Sequence, residues 1–269
     1  CLASGPLFRD HRKQCFQSGL QPIQITDSTG VCDRAAHLVG RGDGIIGWGE
    51  AARLEVSGPD RFLEAESWWD ETVRHARVRN EVALPGSGLV AFGSFAFDDT
   101  PGRSLLVVPS VIVGRRGPST WVTTVGAGNT VPVVPELAGW DDVPTPQNVV
   151  FADGSRTGAD YEVAVAEAVR RIVDGELEKV VLARDLLACA EAPIDLRWPL
   201  GQLADRYPAC WTFSVAGLLG ATPEMLVRLE RGLVTSRVLA GTIRRSGDDA
   251  RDLALSAKLA RSSKDLEEH

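Results

Sequence analysis

Lys179 opens the run Lys179-Val180-Val181-Leu182-Ala183-Arg184, and an amine at the head of an apolar stretch has two uses. At a strand end it keeps its charge in water while its stem lies along apolar surface. Partly desolvated, it becomes a general base; bringing a lysine from a pKa of ~10.4 to ~7 costs about 4.6 kcal/mol, within the reach of burial. The second cluster is Gly220-Ala221-Thr222-Pro223-Glu224-Met225, where Pro223 fixes the backbone just before a carboxylate. That pattern is either a turn with an exposed glutamate or an acid held at the mouth of a strand. Leu239-Ala240-Gly241-Thr242 is an apolar stretch ending in small residues, which either simply turns or lets backbone amides approach a ligand closely. In Ser262-Ser263-Lys264-Asp265-Leu266-Glu267-Glu268-His269, a helix would set Asp265 and Glu268 on one side. Paired carboxylates suit a hard ion such as Mg²⁺, although mixed charge at a helix end is also an ordinary solvated surface.

The elements that must position these groups read unevenly along the chain. Residues 1–38 are polar and irregular. Leu89–Phe97 and Leu105–Val113 read as buried strands, the second with Pro109 as a bulge or edge signal. The Trp68-Trp69 segment reads as a helix. Residues 126–149 carry Pro132, Pro135, Pro144 and Pro146 and read as a long connection. Beyond it, Tyr161, Val165, Val169, Ile172 and Val173 recur at helical spacing, with Gly175 as the stop. Lys179–Ala188 then reads as a strand, Trp198–Arg206 as a helix and Cys210–Gly217 as a strand. Met225–Leu229 and Gly232–Leu239 read as a hairpin about Arg231-Gly232, followed by a helix from about Asp248. Strands outnumber helices and hairpins mix with helical links, so the fold class is α+β with a large, mostly antiparallel sheet.

Composition excludes several functions. The 269 residues carry 29 Lys plus Arg against 36 Asp plus Glu, a net charge of −7. That balance argues against a nucleic-acid partner, which needs a clustered basic surface, and against a polybasic membrane anchor. The longest apolar stretches are too short to span a bilayer. Five cysteines, an odd number with no C-x-x-C, argue against a disulfide framework or structural zinc and for reduced, cytoplasmic thiols. Gly42-Asp43-Gly44-Ile45-Ile46-Gly47 satisfies G-x-G-x-x-G, but Trp48-Gly49 follows where a helix should open. It is read as a glycine-rich turn between strands, and a dinucleotide is rejected.

In their order and spacing, the Lys179–Arg184, Gly220–Glu224, Leu239–Thr242 and Ser263–His269 clusters resemble the chorismate-utilising enzymes. That family includes isochorismate, salicylate, anthranilate and aminodeoxychorismate synthases. Residues 157–269 carry the likeness, and Gly47–Ala51 with Phe92–Phe95 resembles the variable first half of isochorismate synthases. The resemblance implies two stacked, mostly antiparallel sheets flanked by helices in one domain. Residues 1–125 would be its variable half, 126–149 a connection and 150–269 the first part of the catalytic core. It implies Mg²⁺ as cofactor and chorismate as substrate. Lys179 would be the base that activates water for attack at C2, and Glu224 the acid that assists loss of the C4 hydroxyl. Ala240, Gly241 and Thr242 would lie against the substrate; Glu268 would bind Mg²⁺, with Asp265 in support. Base and acid would face one pocket from opposite sides, because a direct salt bridge would push both into the wrong protonation state.

Lys179 points to members that use water rather than ammonia, which leaves salicylate synthase beside isochorismate synthase; the first-half likeness favours the latter. The family pattern continues past His269 with a further Mg²⁺ carboxylate and the arginine and glycine-rich backbone that grip chorismate. A C-terminally truncated fold is therefore expected, and a non-catalytic fragment or binding module is the alternative of another class. A cytoplasmic monomer, serving menaquinone synthesis in preference to a siderophore, completes the expectation.

Overall fold

A computed structural model describes residues 21–22, 36–40, 42–100, 102–126, 128, 142–237 and 243–261. Among them are fourteen strands and four helices. In chain order they are β1 (Gln21–Pro22), β2 (Ala36–Gly40), β3 (Asp43–Trp48), β4 (Ala52–Val56), α1 (Arg61–His75), β5 (Phe92–Ser94), β6 (Ser104–Val108), β7 (Val111–Arg116) and β8 (Ser119–Thr124). There follow β9 (Val150–Asp153), α2 (Gly158–Val173), β10 (Leu186–Ala190), α3 (Arg197–Arg206), β11 (Trp211–Val215), β12 (Leu218–Thr222), β13 (Met225–Glu230), β14 (Leu233–Arg237) and α4 (Asp249–Leu259). Every described strand pair is antiparallel. A six-stranded sheet runs β12-β11-β2-β3-β7-β8; two three-stranded sheets run β4-β6-β5 and β1-β10-β9; β13 and β14 form a hairpin.

The core lies between the first two of these sheets. Ala36, Ile45 and Val215 from the six-stranded sheet meet Phe92, Leu105 and Val107 from the smaller one. All five residues of β6 are buried, as a central strand covered on both faces requires. The stacked, antiparallel α+β architecture is as expected from the sequence. Strands β11 and β12 extend the sheet begun by β2 and β3, so the stretches on either side of residues 126–149 share one ladder (Phe213 opposite Leu38).

Three expected strands differ, each for want of a ladder partner or a donor. The stretch 105–113 is two strands in different sheets: Pro109, fully buried, has no N–H to give a ladder, and the chain turns there. Of 89–97 only Phe92–Ser94 is strand, paired to Val107–Leu105. Beyond it, Arg61 collects the carbonyls of Ala96 and Phe97 at 3.1 and 2.9 Å. Finally, 179–185 is irregular and the strand begins at Leu186, because its partner β9 stops at Asp153. Strands β1, β2, β4, β8, β9 and β12 had no clear sequence signal.

Elsewhere the local signals hold. Thr157 caps α2 by accepting from the Asp160 N–H at 3.1 Å, and Gly175, at φ +76°, follows its end. Arg231 and Gly232, at φ 52° and 83°, make the tight turn of the β13–β14 hairpin. The reading of Gly42–Gly47 as a turn is corrected: only Gly42 lies in the turn, and Gly44 and Gly47 sit in β3, where a Cβ would come within 2.2 Å of the Leu38 carbonyl and 2.4 Å of Pro109. Bare backbone there serves strand contact, and no helix follows. Cys210 is a free thiol, whereas Cys189 is disulfide-bonded, which corrects the expectation of reduced thiols throughout.

Candidate active site

Lys179 lies six residues beyond the end of α2, in the irregular segment that leads into β10. The chain leaves α2 through Asp174 and Gly175, whose N–H groups donate to Arg170 and Ile172 carbonyls at 2.9 and 3.1 Å. Glu224 stands at a corner: β12 ends at Thr222, Pro223 redirects the chain, and β13 begins at Met225. The Glu224 N–H donates to the Thr222 hydroxyl at 3.1 Å, which tightens the corner. The corner is the turn with an exposed glutamate that the Pro-Glu pair allowed.

Both side chains are exposed. Ala240, Gly241, Thr242, Asp265 and Glu268 lie outside the described residues. Among the described residues no group of three or more His, Cys, Asp or Glu could hold a metal ion, and no helix is long and apolar enough to cross a membrane.

What the structure adds is the anchorage at the end of the Lys179 segment. Asp185 accepts from the Ser155 N–H at 2.9 and 3.0 Å and from its hydroxyl at 2.5 Å. The Gly154 N–H donates to the Asp185 carbonyl at 3.3 Å. Arg184 pairs with Asp153, and the Tyr161 hydroxyl donates to the Leu182 carbonyl at 3.4 Å. Sequence reading missed this cluster. Its one available signal was the polar turn Asp153-Gly154-Ser155 ahead of a capped helix, which says nothing of what the turn holds.

On the exposed side of α2, Arg170 and Arg171 both donate to Glu167 and hold its carboxyl well below the usual range, at about 2. The apolar positions of the same helix remain uncovered by the described residues: Val163, Val169 and Val173 are 69, 54 and 79% exposed. On the hairpin, Leu226 and Leu233 are 89 and 69% exposed.

Residues 39–131 and 137–269 match the family described as Chorismate binding enzyme. Most of the chain, including Lys179 and Glu224, falls within that match, and the chain belongs to this family of chorismate-binding enzymes. It is 26% identical over 254 residues to isochorismate synthase MenF of Bacillus subtilis, a match covering 84% of this chain and 54% of that one. It is 37% identical over 121 residues to isochorismate synthase DhbC of the same organism, covering 41% of this chain and 30% of the relative. Among solved structures, a Bacillus anthracis chain described as a 2,3-dihydroxybenzoate-specific isochorismate synthase, DhbC, superposes with a TM-score of 0.57 at 22% identity. That superposition covers 90% of this chain and 57% of the other and shows the shared fold. The chain spans about half the length of the curated relatives it matches.

Proposed function

We propose that this chain carries the base and the acid of an isochorismate synthase. The observation behind the reading is that Lys179 and the Pro223-Glu224 corner both fall within the matched family region, in a fold shared with the B. anthracis structure. In the proposed reaction, Lys179 takes a proton from water as its oxygen bonds to C2 of chorismate. The ring double bonds shift, the C4–O bond breaks, and Glu224 delivers a proton to the departing hydroxyl, which leaves as water. One water enters and one leaves, so the product is an isomer. Hydroxide leaves poorly and water attacks poorly, which is why both proton transfers need a positioned group.

Ala240, Gly241 and Thr242 would line the substrate. Glu268, supported by Asp265, would hold Mg²⁺; two carboxylates are the oxygen donors that ion takes, and bound there it would neutralise the substrate carboxylate. The proton steps are assigned to Lys179 and Glu224. The product would enter menaquinone or siderophore synthesis, in a cytoplasmic monomer.

The test is incubation of the chain, as given and extended to the full length of its relatives, with chorismate and Mg²⁺, with isochorismate and salicylate separated chromatographically; activity in the longer form alone supports truncation, and activity in neither overturns the enzymatic reading. Isochorismate is the expected product, with Lys179→Gln and Glu224→Gln each lowering kcat by about 10²–10⁴-fold at unchanged circular dichroism. Salicylate as sole product overturns the choice of synthase; full activity in either variant overturns the role assignment.

A further inference from the structure

Among the described residues, the segment carrying Lys179 has no strand partner before Leu186, yet its far end is fastened to the turn that leads into α2. Asp185 is the centre of that fastening, receiving the Ser155 N–H and hydroxyl on its carboxylate and the Gly154 N–H on its carbonyl. One residue back, the Arg184 guanidinium pairs with Asp153 and lies against the start of α2, where a Cβ at Gly158 would be 3.6 Å from both of its terminal nitrogens. Tyr161, on the first turn of α2, reaches the Leu182 carbonyl. Gly154 is buried, and a Cβ on it would stand 2.2 Å from the Asp185 Oδ2 and 2.3 Å from its Cγ. Only glycine lets the carboxylate close over this turn.

The helix end is itself well fixed, since Thr157 and Asp160 bond to each other through both side chains and backbone. The turn is therefore a firm support, and among the described residues it is these side-chain contacts that fasten the end of the segment. We infer that Asp185, with Arg184 and Tyr161, sets where Lys179 sits relative to the substrate. Asp185 is a positioning residue: it acts through the backbone of 182–185 and touches no reacting atom. The inference rests on the reading of Lys179 as the base. A misplacement of about 1 Å at a catalytic group costs on the order of 100-fold in rate, whereas the substrate contacts, made elsewhere, stay intact.

The experiment compares Asp185→Asn and Gly154→Ala in the full chain, one removing the acceptor charge and the other pushing the carboxylate away with its charge kept. Three readouts are taken. The first is amide exchange at Leu182–Leu186. The second is the spectrum of ¹³Cε-labelled lysine; the chain has only Lys13, Lys179, Lys258 and Lys264, and the Lys179 signal is assigned by its loss in Lys179→Gln. The third is kcat and KM on chorismate.

Both variants are expected to exchange faster at 182–186 and to shift the Lys179 signal while the other three stay in place. They should lower kcat by about 10–100-fold with KM within about twofold. Ser155→Ala, which keeps the N–H bond, should fall between them and the parent. An unmoved Lys179 signal in both variants overturns the inference, as does undiminished kcat with faster exchange. If the parent, extended to the full length of its relatives, turns over no chorismate, the reading of Lys179 as base fails. The lysine signal and the exchange rates then still decide whether Asp185 sets the lysine's place. A variant that unfolds moves all four signals; Tyr161→Phe, which deletes one hydroxyl, then takes its place with the same readouts.

Discussion

Gly114→Ala tests how closely the six-stranded sheet is packed around Trp121. Gly114 in β7 lies directly opposite Trp121 in β8, and the indole covers its bare backbone. A Cβ there would be 2.2 Å from two ring carbons and 2.6 Å from Nε1, where ordinary contact needs more than 3.4 Å. Trp121 is 6% exposed, so the ring has to move by about an ångström among packed neighbours, an overpacking cost of about 1–3 kcal/mol. Its Nε1–H also donates to the Gly86 carbonyl at 3.2 Å, and losing that bond adds about 1 kcal/mol. The expected total of about 3 kcal/mol corresponds to a fall in Tm of about 6–12 °C for a domain of this size. Urea unfolding of the parent, Gly114→Ala, Trp121→Val and the double variant measures it. Once the indole is gone, the alanine should cost much less. Gly117→Ala, at φ +54° with open space around it, supplies the reference for a glycine lost to backbone strain alone. A Gly114→Ala penalty no larger than that reference, or one that persists without Trp121, refutes the reasoning.

Arg61→Lys should lower stability by about 2 kcal/mol or more, although the charge is kept. The buried guanidinium serves the Gly58, Ala96 and Phe97 carbonyls as well as Asp99, and an ammonium cannot span that set, leaving a carbonyl unpaired. A reduced urea midpoint at unchanged slope is the expected sign. Glu167 should titrate near 2 in the folded chain because Arg170 and Arg171 both donate to it. A carboxyl lowered in the folded state stabilises above its unfolded pKa of ~4.3, and that contribution is lost as pH falls through about 2. A site-resolved carboxyl titration checks it, and an ordinary midpoint would count against the two-arginine contact.

Elements governed by neighbours in sequence were legible: α2 from the spacing of Tyr161 to Val173 and its stop at Gly175, the hairpin about Arg231-Gly232, α4 behind Asp248. These signals are local bonds and backbone angles, and they act wherever the chain goes. The strands that failed to match were decided by distant partners. Lys179–Asp185 contains the apolar run Val180–Ala183, yet β9 reaches only from Val150 to Asp153, so its ladder takes up Leu186–Cys189 instead. At the candidate site, the types of Lys179 and Glu224 and the corner at Pro223 were readable. The Asp185–Ser155 contact was not, because no periodicity records which turn a carboxylate 30 residues away will meet.

Pro109 and Ser110 carry the chain directly from the middle of one layer to the interior of the other, with Pro109 wedged against Gly47. A strand that bends this way forms a corner of the sandwich. The two layers are thus stitched by the shortest of threads, and neither can slide or peel from its mate without tearing that seam. Melting of the two sheets, with β11 and β12 included, should accordingly come as a single event, sheets and seam together.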